Sequence, residues 1–183
     1  VNGLSDSEIE RIAYHNDLEA LLIVYKNSNI DIVTESAVYN LSDLKREQIS
    51  SDKTVYNIRF YENYAFLSCG FGIVVLDLDR IEFKDTYFIA DNASFVRVYD
   101  LTFDNNLIYA ATDEGLSYSP FDFQIMSDYR NWNPVSDLPG HENIHNLIYS
   151  FSGRIFVNQI DPVTEGDTLY EFRNGTWQIS DLY

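Results

Sequence analysis

His141 and His145 stand four residues apart, a spacing that on a helix would put two imidazoles on one face and could hold zinc. The segment GHENIHNL reads instead as a loop running into a strand, and no HExxH arrangement or cysteine pair accompanies it. His15 falls in a turn, where exposure to solvent is expected. Cys69 is the single cysteine and closes an apolar run. A thiol there behaves as a small buried hydrophobe, and no histidine is placed to make it a nucleophile. Asp77 and Asp79 flank Leu78, while Asp113 and Glu114 fill a tight turn; paired carboxylates can hold calcium, yet no DxDxDG loop is present and turn chemistry explains both pairs. Gly70-Phe71-Gly72 is no phosphate loop, because neither GK[ST] nor a helix follows it. Trp132 and Trp177 fit packing between sheets better than a sugar platform. Arg59 and Arg97 remain as the expected binding residues, in or beside strands that would line a central channel. No catalytic residue, metal ligand or cofactor is expected, and the chain is not expected to be an enzyme.

The elements that position these arginines repeat. The stretches IERIAYHND, VYNIRFYEN, VYDLTFDNN and IHNLIYSFSG share an apolar residue, a second one three further on, and an aromatic two later. The sets are Ile9, Ile12, Tyr14; Val55, Ile58, Phe60; Val98, Leu101, Phe103; and Ile144, Leu147, Tyr149. From Tyr14 to Phe60 to Phe103 to Tyr149 the intervals are 46, 43 and 46 residues. Each set leads into a polar turn and an apolar strand: LLIVY at 21–25, YAFLS at 64–68, LIYAAT at 107–112, RIFV at 154–157. A third strand follows at IDIV 30–33, GIVVLDL 72–78, GLSYSPF 115–121 and TLYEF 168–172. A weaker fourth lies at AVYNL 37–41, DTYFI 85–89, NWNPV 131–135 and TWQIS 176–180. Gly72 and Gly115 both lie 12 residues past their aromatic, at turns that call for positive φ. SDSE at 5–8 resembles a helix capping box, but the other copies lack it, so Ile9–Tyr14 is assigned to strand.

Four antiparallel strands in 40–50 residues is the period of a propeller blade. The expected fold is all-β, a β-propeller of about four blades, with approximate limits 1–49, 50–92, 93–138 and 139–183 in one segment, within a larger ring of about seven blades. One blade cannot cover both of its own faces, so the blades must lean on one another. An open four-blade arc would leave two faces bare, and self-association or instability of such a piece is expected.

Composition agrees. Of 183 residues, 14 are Tyr and 12 Phe, which favours strands. Asp and Glu number 29 against 12 Lys and Arg, a net charge of −17, which excludes a nucleic-acid binder because phosphates need cationic partners. No run of about 20 apolar residues spans a membrane. VNGLSDSEIER has neither the basic start nor the apolar core of a signal peptide and reads like the middle of a longer protein.

The runs GLS…I..IAY and IYAATDEGLSYSPF resemble the two-component-regulator propeller repeat, whose "aT..GL..y" element is matched by Ala111, Thr112, Gly115, Leu116 and Tyr118. More specifically, NSNIDIV (27–33), DLKREQI (43–49), AFLSCGFGIVVLDL (65–78) and KDTYFI (84–89) resemble the N-terminal propeller family of PorZ, a component of type IX secretion. The resemblance covers residues 1–135 well and the rest loosely. It implies an exported protein in the periplasm or at the cell surface, associated with the outer membrane and acting as an interaction scaffold. It implies a sortase-like protease and its membrane anchor as partners, and recognition of lipopolysaccharide or another glycan. A polyanionic glycan would need bridging divalent cations on so acidic a surface. The repeat is shared with the periplasmic, glycan-sensing propellers of hybrid two-component regulators, which is the alternative reading.

Overall fold

The structure, a computed structural model, describes residues 3–161, 163–164 and 166–181. Its strands form four separate four-stranded antiparallel sheets, each a simple meander. The first holds β1 (Ile9–His15), β2 (Ala20–Tyr25), β3 (Ile30–Val33) and β4 (Val38–Leu41). The second holds β5 (Val55–Tyr61), β6 (Tyr64–Cys69), β7 (Gly72–Asp77) and β8 (Glu82–Tyr87). The third holds β9 (Val98–Asp104), β10 (Leu107–Thr112), β11 (Gly115–Pro120) and the two-residue β12 (Asn133–Pro134). The fourth holds β13 (Ile144–Phe151), β14 (Arg154–Ile160), β15 (Asp167–Arg173) and β16 (Thr176–Ile179). The sheets pack in chain order through their first strands, β1 against β5, β5 against β9 and β9 against β13. That arrangement is a four-bladed β-propeller segment.

Turn chemistry sets the hairpins. Asn105 and Asn106, Ser152 and Gly153, and Asn174 and Gly175 all have positive φ, the two-residue turn whose twist suits adjacent antiparallel strands. Gly72 (φ 143°) and Gly115 (φ 130°) open their strands in a region closed to side chains. A methyl on Gly115 would run into the carbonyl oxygen of His141, and one on Gly72 into that of Tyr87. Gly115→Ala is therefore expected to lower stability by at least about 1–3 kcal/mol, the strain term alone. Chemical denaturation would measure it, and an unchanged midpoint would show that the 139–143 loop yields freely.

Three apolar layers bind neighbouring blades. Leu22, Val24, Ile30 and Ile32 of the first blade meet Ile58, Ala65, Leu67 and Val74 of the second. Phe66, Ile73 and Val75 meet Val98, Leu101 and Ile108. Ala111 and Leu116 meet Ile148, Ile155 and Val157. Burial on both faces explains why β7 is buried along its whole length and reads as a continuous apolar run.

The structure amends the sequence reading at four places. A β-bulge interrupts every first strand, at Glu10, Tyr56, Tyr99 and Asn146. Alignment on the bulges makes His145, Ile148 and Ser150 the counterparts of Val55, Ile58 and Phe60, one residue later than the set Ile144, Leu147, Tyr149. The spacing misled because β13 carries apolar residues on both faces, so either register satisfies the pattern. His15 is buried rather than exposed: its Nε2 lies 2.7 Å from the Glu62 carbonyl and its ring sits edge-on to Phe60. NWNPV contributes only two residues to the sheet, because Asp122 caps a short helix α1 (Phe123–Met126) that takes up the connection. Before the second blade, Asp43–Arg46 forms another helical turn that lays Leu44 into the core.

Candidate functional site

The four bulges fall near one end of the first strands, where an extra residue turns a side chain out of the sheet. In the second and third blades that residue is tyrosine. Tyr56 and Tyr99 meet edge to face at 5.1 Å. The Arg97 guanidinium lies over both rings, 5.7 Å from Tyr56 and 5.9 Å from Tyr99. Its Nη1 is 3.4 Å from the Tyr99 hydroxyl and 3.9 Å from Asp113 Oδ2, while its buried Nε has no protein partner. The bond to Tyr99 holds the guanidinium pKa above its ordinary value. Tyr56 donates its hydroxyl to Asp52 at 2.8 Å; burial first and that carboxylate second push the phenol up to about 12. Half-exposed Arg11 closes the group, donating from Nε to the Tyr56 carbonyl at 2.7 Å. The rim thus offers two guanidinium groups, two aromatic faces and two carboxylates. It can hold a polar, planar or hydroxylated group by stacking and hydrogen bonding. No nucleophile paired with a base stands among these side chains.

Arg59 lies elsewhere and is occupied. It donates from Nε and Nη2 to the two oxygens of Asp100, at 2.9 and 2.7 Å. The same carboxylate accepts from Asn57 Nδ2 at 2.6 Å and from the backbone N–H of Leu101 and Ile148. Arg59 also lies 5.7 Å from the centre of the Tyr149 ring. One buried aspartate therefore gathers β5, β9 and β13, and Arg59 is bound up in holding them. The structure does not bring Arg59 and Arg97 into one site. Tyr56 and Tyr99 were not singled out from sequence, although the repeated Val-Tyr pair, 43 residues apart, marks them.

The remaining sequence candidates are structural. Asp77 accepts from the backbone N–H of Asp79 and Arg80, and Asp113 from that of Arg97. Cys69 is fully buried, which pushes its thiol pKa upward and keeps it protonated. Trp132 is buried with its indole N–H donated to Met126, beside a cavity of about 200 Å³ that Asp91 and Glu114 also line. Trp177 packs on Phe172. Among the described residues no group of three His, Cys, Asp or Glu side chains converges on a metal position, and no helix is long and apolar enough to cross a membrane.

His145 occupies the position of Val55 and Val98. It is fully buried, its Nδ1 has no partner, and burial pulls its pKa down to about 4 from 6.5. The folded state therefore excludes a proton that the unfolded chain accepts below pH 6.5. Stability relative to His145→Val should fall by roughly 3 kcal/mol as pH drops from 7 to 4, levelling off below that. Paired denaturation curves at the two pH values test this, the carboxylates cancelling in the difference; an unchanged gap would refute it.

Comparison with known proteins agrees with this architecture. A family model described as the N-terminal β-propeller domain of PorZ, of the type IX secretion system, matches residues 1–133. The structure of PorZ from Porphyromonas gingivalis, described as an essential bacterial surface component of that system, superposes with a TM-score of 0.80 at 26% identity. The match covers 96% of this chain and 22% of the PorZ chain, so this chain spans about a fifth of that relative. Two extracellular domains from B. thetaiotaomicron share the fold. One, of a protein described as a one component system, has a TM-score of 0.66 at 12% identity, covering 97% of this chain and 22% of its own. The other, described as belonging to a hybrid two component system, has 0.63 at 11%, covering 98% and 25%. No curated protein shows significant similarity to the chain. With the four-blade repeat, the bulged first strands and a family match over most of its length, the chain belongs to the PorZ N-terminal β-propeller domain family.

Proposed function

We propose that this chain is a non-enzymatic binding propeller of a type IX secretion protein, exported and working at the outer-membrane surface as an interaction scaffold. The single observation that carries the reading is the family match over residues 1–133, joined to a superposition on PorZ at 0.80 and 26% identity. The chemistry of the molecule supports it. Among the described residues, Asp100 and Arg59 join blades and Asp77 and Asp113 close turns, and the polar rim around Arg97 is built to grip rather than to react. Its partners are proteins of the secretion attachment complex, a sortase-like protease and its anchor among them. Arg97 is the polar contact at the rim, with lipopolysaccharide or another glycan as the further ligand class, while Arg59 acts from within the channel wall. The limits 1–49, 50–92, 93–138 and 139–183 serve as the working blade boundaries.

Sensing of glycan fragments by a hybrid two-component regulator is the second reading, and the B. thetaiotaomicron domains share only the fold with this chain. The test is co-purification of the full-length protein with the sortase-like subunit, together with secretion after deletion of its gene. Capture of that subunit and lost secretion are expected. Secretion that proceeds intact, or a histidine kinase encoded in the same reading frame, would overturn the proposal.

A further inference from the structure

Two neighbouring seams between blades are closed differently at their outer ends. Between the second and third blades, the connection from β11 to β12 lays Phe121, Phe123 and Met126 against Phe66, which is fully buried. The Lys84 ammonium completes that closure, 4.4 Å from the centre of the Phe123 ring and 5.1 Å from that of Tyr64. In the fourth blade the corresponding connection, from β15 to β16, is only the two-residue turn at Asn174 and Gly175. Tyr109, the counterpart of Phe66 in β10, is accordingly only half-buried in the seam between the third and fourth blades.

The result is a groove of about 250 Å³, walled by Tyr109 and Tyr118 of the third blade and by Phe172 and Trp177 of the fourth. The two tyrosine rings lie 5.9 Å apart, and the Phe172 and Trp177 rings 5.1 Å apart. Asp137 also lines the groove and is exposed, its side chain without a hydrogen bond or ion pair among the described residues. No lysine, arginine or histidine is among the described residues that line it. Burial first, and then the charges of Asp104, Tyr118 and Asp137, hold the Tyr109 phenol above its ordinary pKa, so the groove sits in a negative field. Aromatic faces beside an unpaired carboxylate attract a cation, and the chain's charge of −17 draws cations toward it.

We propose that this groove takes a lysine or arginine side chain presented by a protein partner, its cationic head among the aromatic rings and paired with Asp137. The molecule carries its own precedent one seam away, where Lys84 lies over Tyr64 and Phe123. At the open seam the aromatic walls are present and the cation is what they lack. The stem of such a side chain is apolar and suits Phe172 and Trp177, while the head stays near the wet lip where Asp137 stands. Binding there is a property of the groove and holds whatever the role of the whole protein in secretion.

The test titrates the full-length protein with a short glycine-serine peptide carrying one lysine, and with the same peptide carrying norleucine or acetyl-lysine instead. Saturation-transfer NMR follows the peptide and suits weak binding. The lysine peptide is expected to bind at least about fivefold more tightly than either neutral one. Asp137→Asn and Trp177→Leu should each weaken it by a similar factor. Glu35→Gln, which removes an exposed carboxylate in the first blade, should leave it unchanged. Norleucine binding as well as lysine would make the groove a seat for a neutral apolar residue and would overturn the proposal. So would a lysine peptide that fails to bind, or an Asp137→Asn effect no larger than that of Glu35→Gln, since bulk charge would then explain the binding. Circular dichroism melts check that the variants fold; should Trp177→Leu melt early, Asp137→Asn against Glu35→Gln carries the comparison.

Discussion

Asp100→Ala is expected to destabilise the chain by about 3–5 kcal/mol, the scale for removing one partner of a buried ion pair. Asp100 is almost fully buried and accepts from five donors on three blades. Its loss leaves the part-buried Arg59 guanidinium and Asn57 amide without their shared acceptor, and the Ile148 N–H unpaired. Asp100→Asn should also be costly, because its amide nitrogen would face donors wherever it points. Arg59→Met should be milder than Asp100→Ala, since the carboxylate keeps three other donors. A double-mutant cycle with Asp100→Ala and Arg59→Met should return a coupling of at least about 1 kcal/mol. Urea denaturation measures all three; a loss below about 1 kcal/mol for Asp100→Ala would mean that water replaces the staple.

Phe66→Ala should cost a similar 3–5 kcal/mol, as is usual for deleting a buried aromatic ring. Phe66 is fully buried in β6 and its ring centre lies 5.0 Å from Phe103, 5.9 Å from Phe121 and 6.3 Å from Phe123. This cluster is the seam between the second and third blades, joined by Ile73, Leu101 and Met126. Blades are coupled through nearest neighbours, so a cavity here weakens the link between two halves rather than one blade. The unfolding curve of Phe66→Ala should therefore broaden or split, with a reduced denaturant slope. Phe66→Leu should cost only about 1–2 kcal/mol and keep a single transition. A sharp, merely shifted transition for Phe66→Ala would show that the blades melt as one unit regardless of this seam.

What was legible in the residues follows from local physics. The period of about 45 residues, the strand order within each blade and the glycines at 72 and 115 all arise from chemistry within a few residues of chain. An Asn-Asn pair selects its hairpin turn, and β-branched and aromatic runs select extended backbone, without reference to distant parts. Membership of the PorZ propeller family was visible for the same reason, since the runs at 27–33 and 65–78 are contiguous.

What depended on the fold are the facts set by contact between blades. His15 looked exposed because a polar turn surrounds it, yet the β5–β6 hairpin covers it from 47 positions away. The fourth repeat was placed one residue early because a bulge leaves no mark on apolar spacing. Arg59 and Arg97 looked alike as channel arginines. Only their neighbours separate them, a buried aspartate that binds three strands for one and two bulged tyrosines for the other. Side chains that meet across blades lie tens of residues apart in sequence, 37 for Phe66 and Phe103 and 90 for Arg59 and Tyr149, and no local pattern records which of them touch.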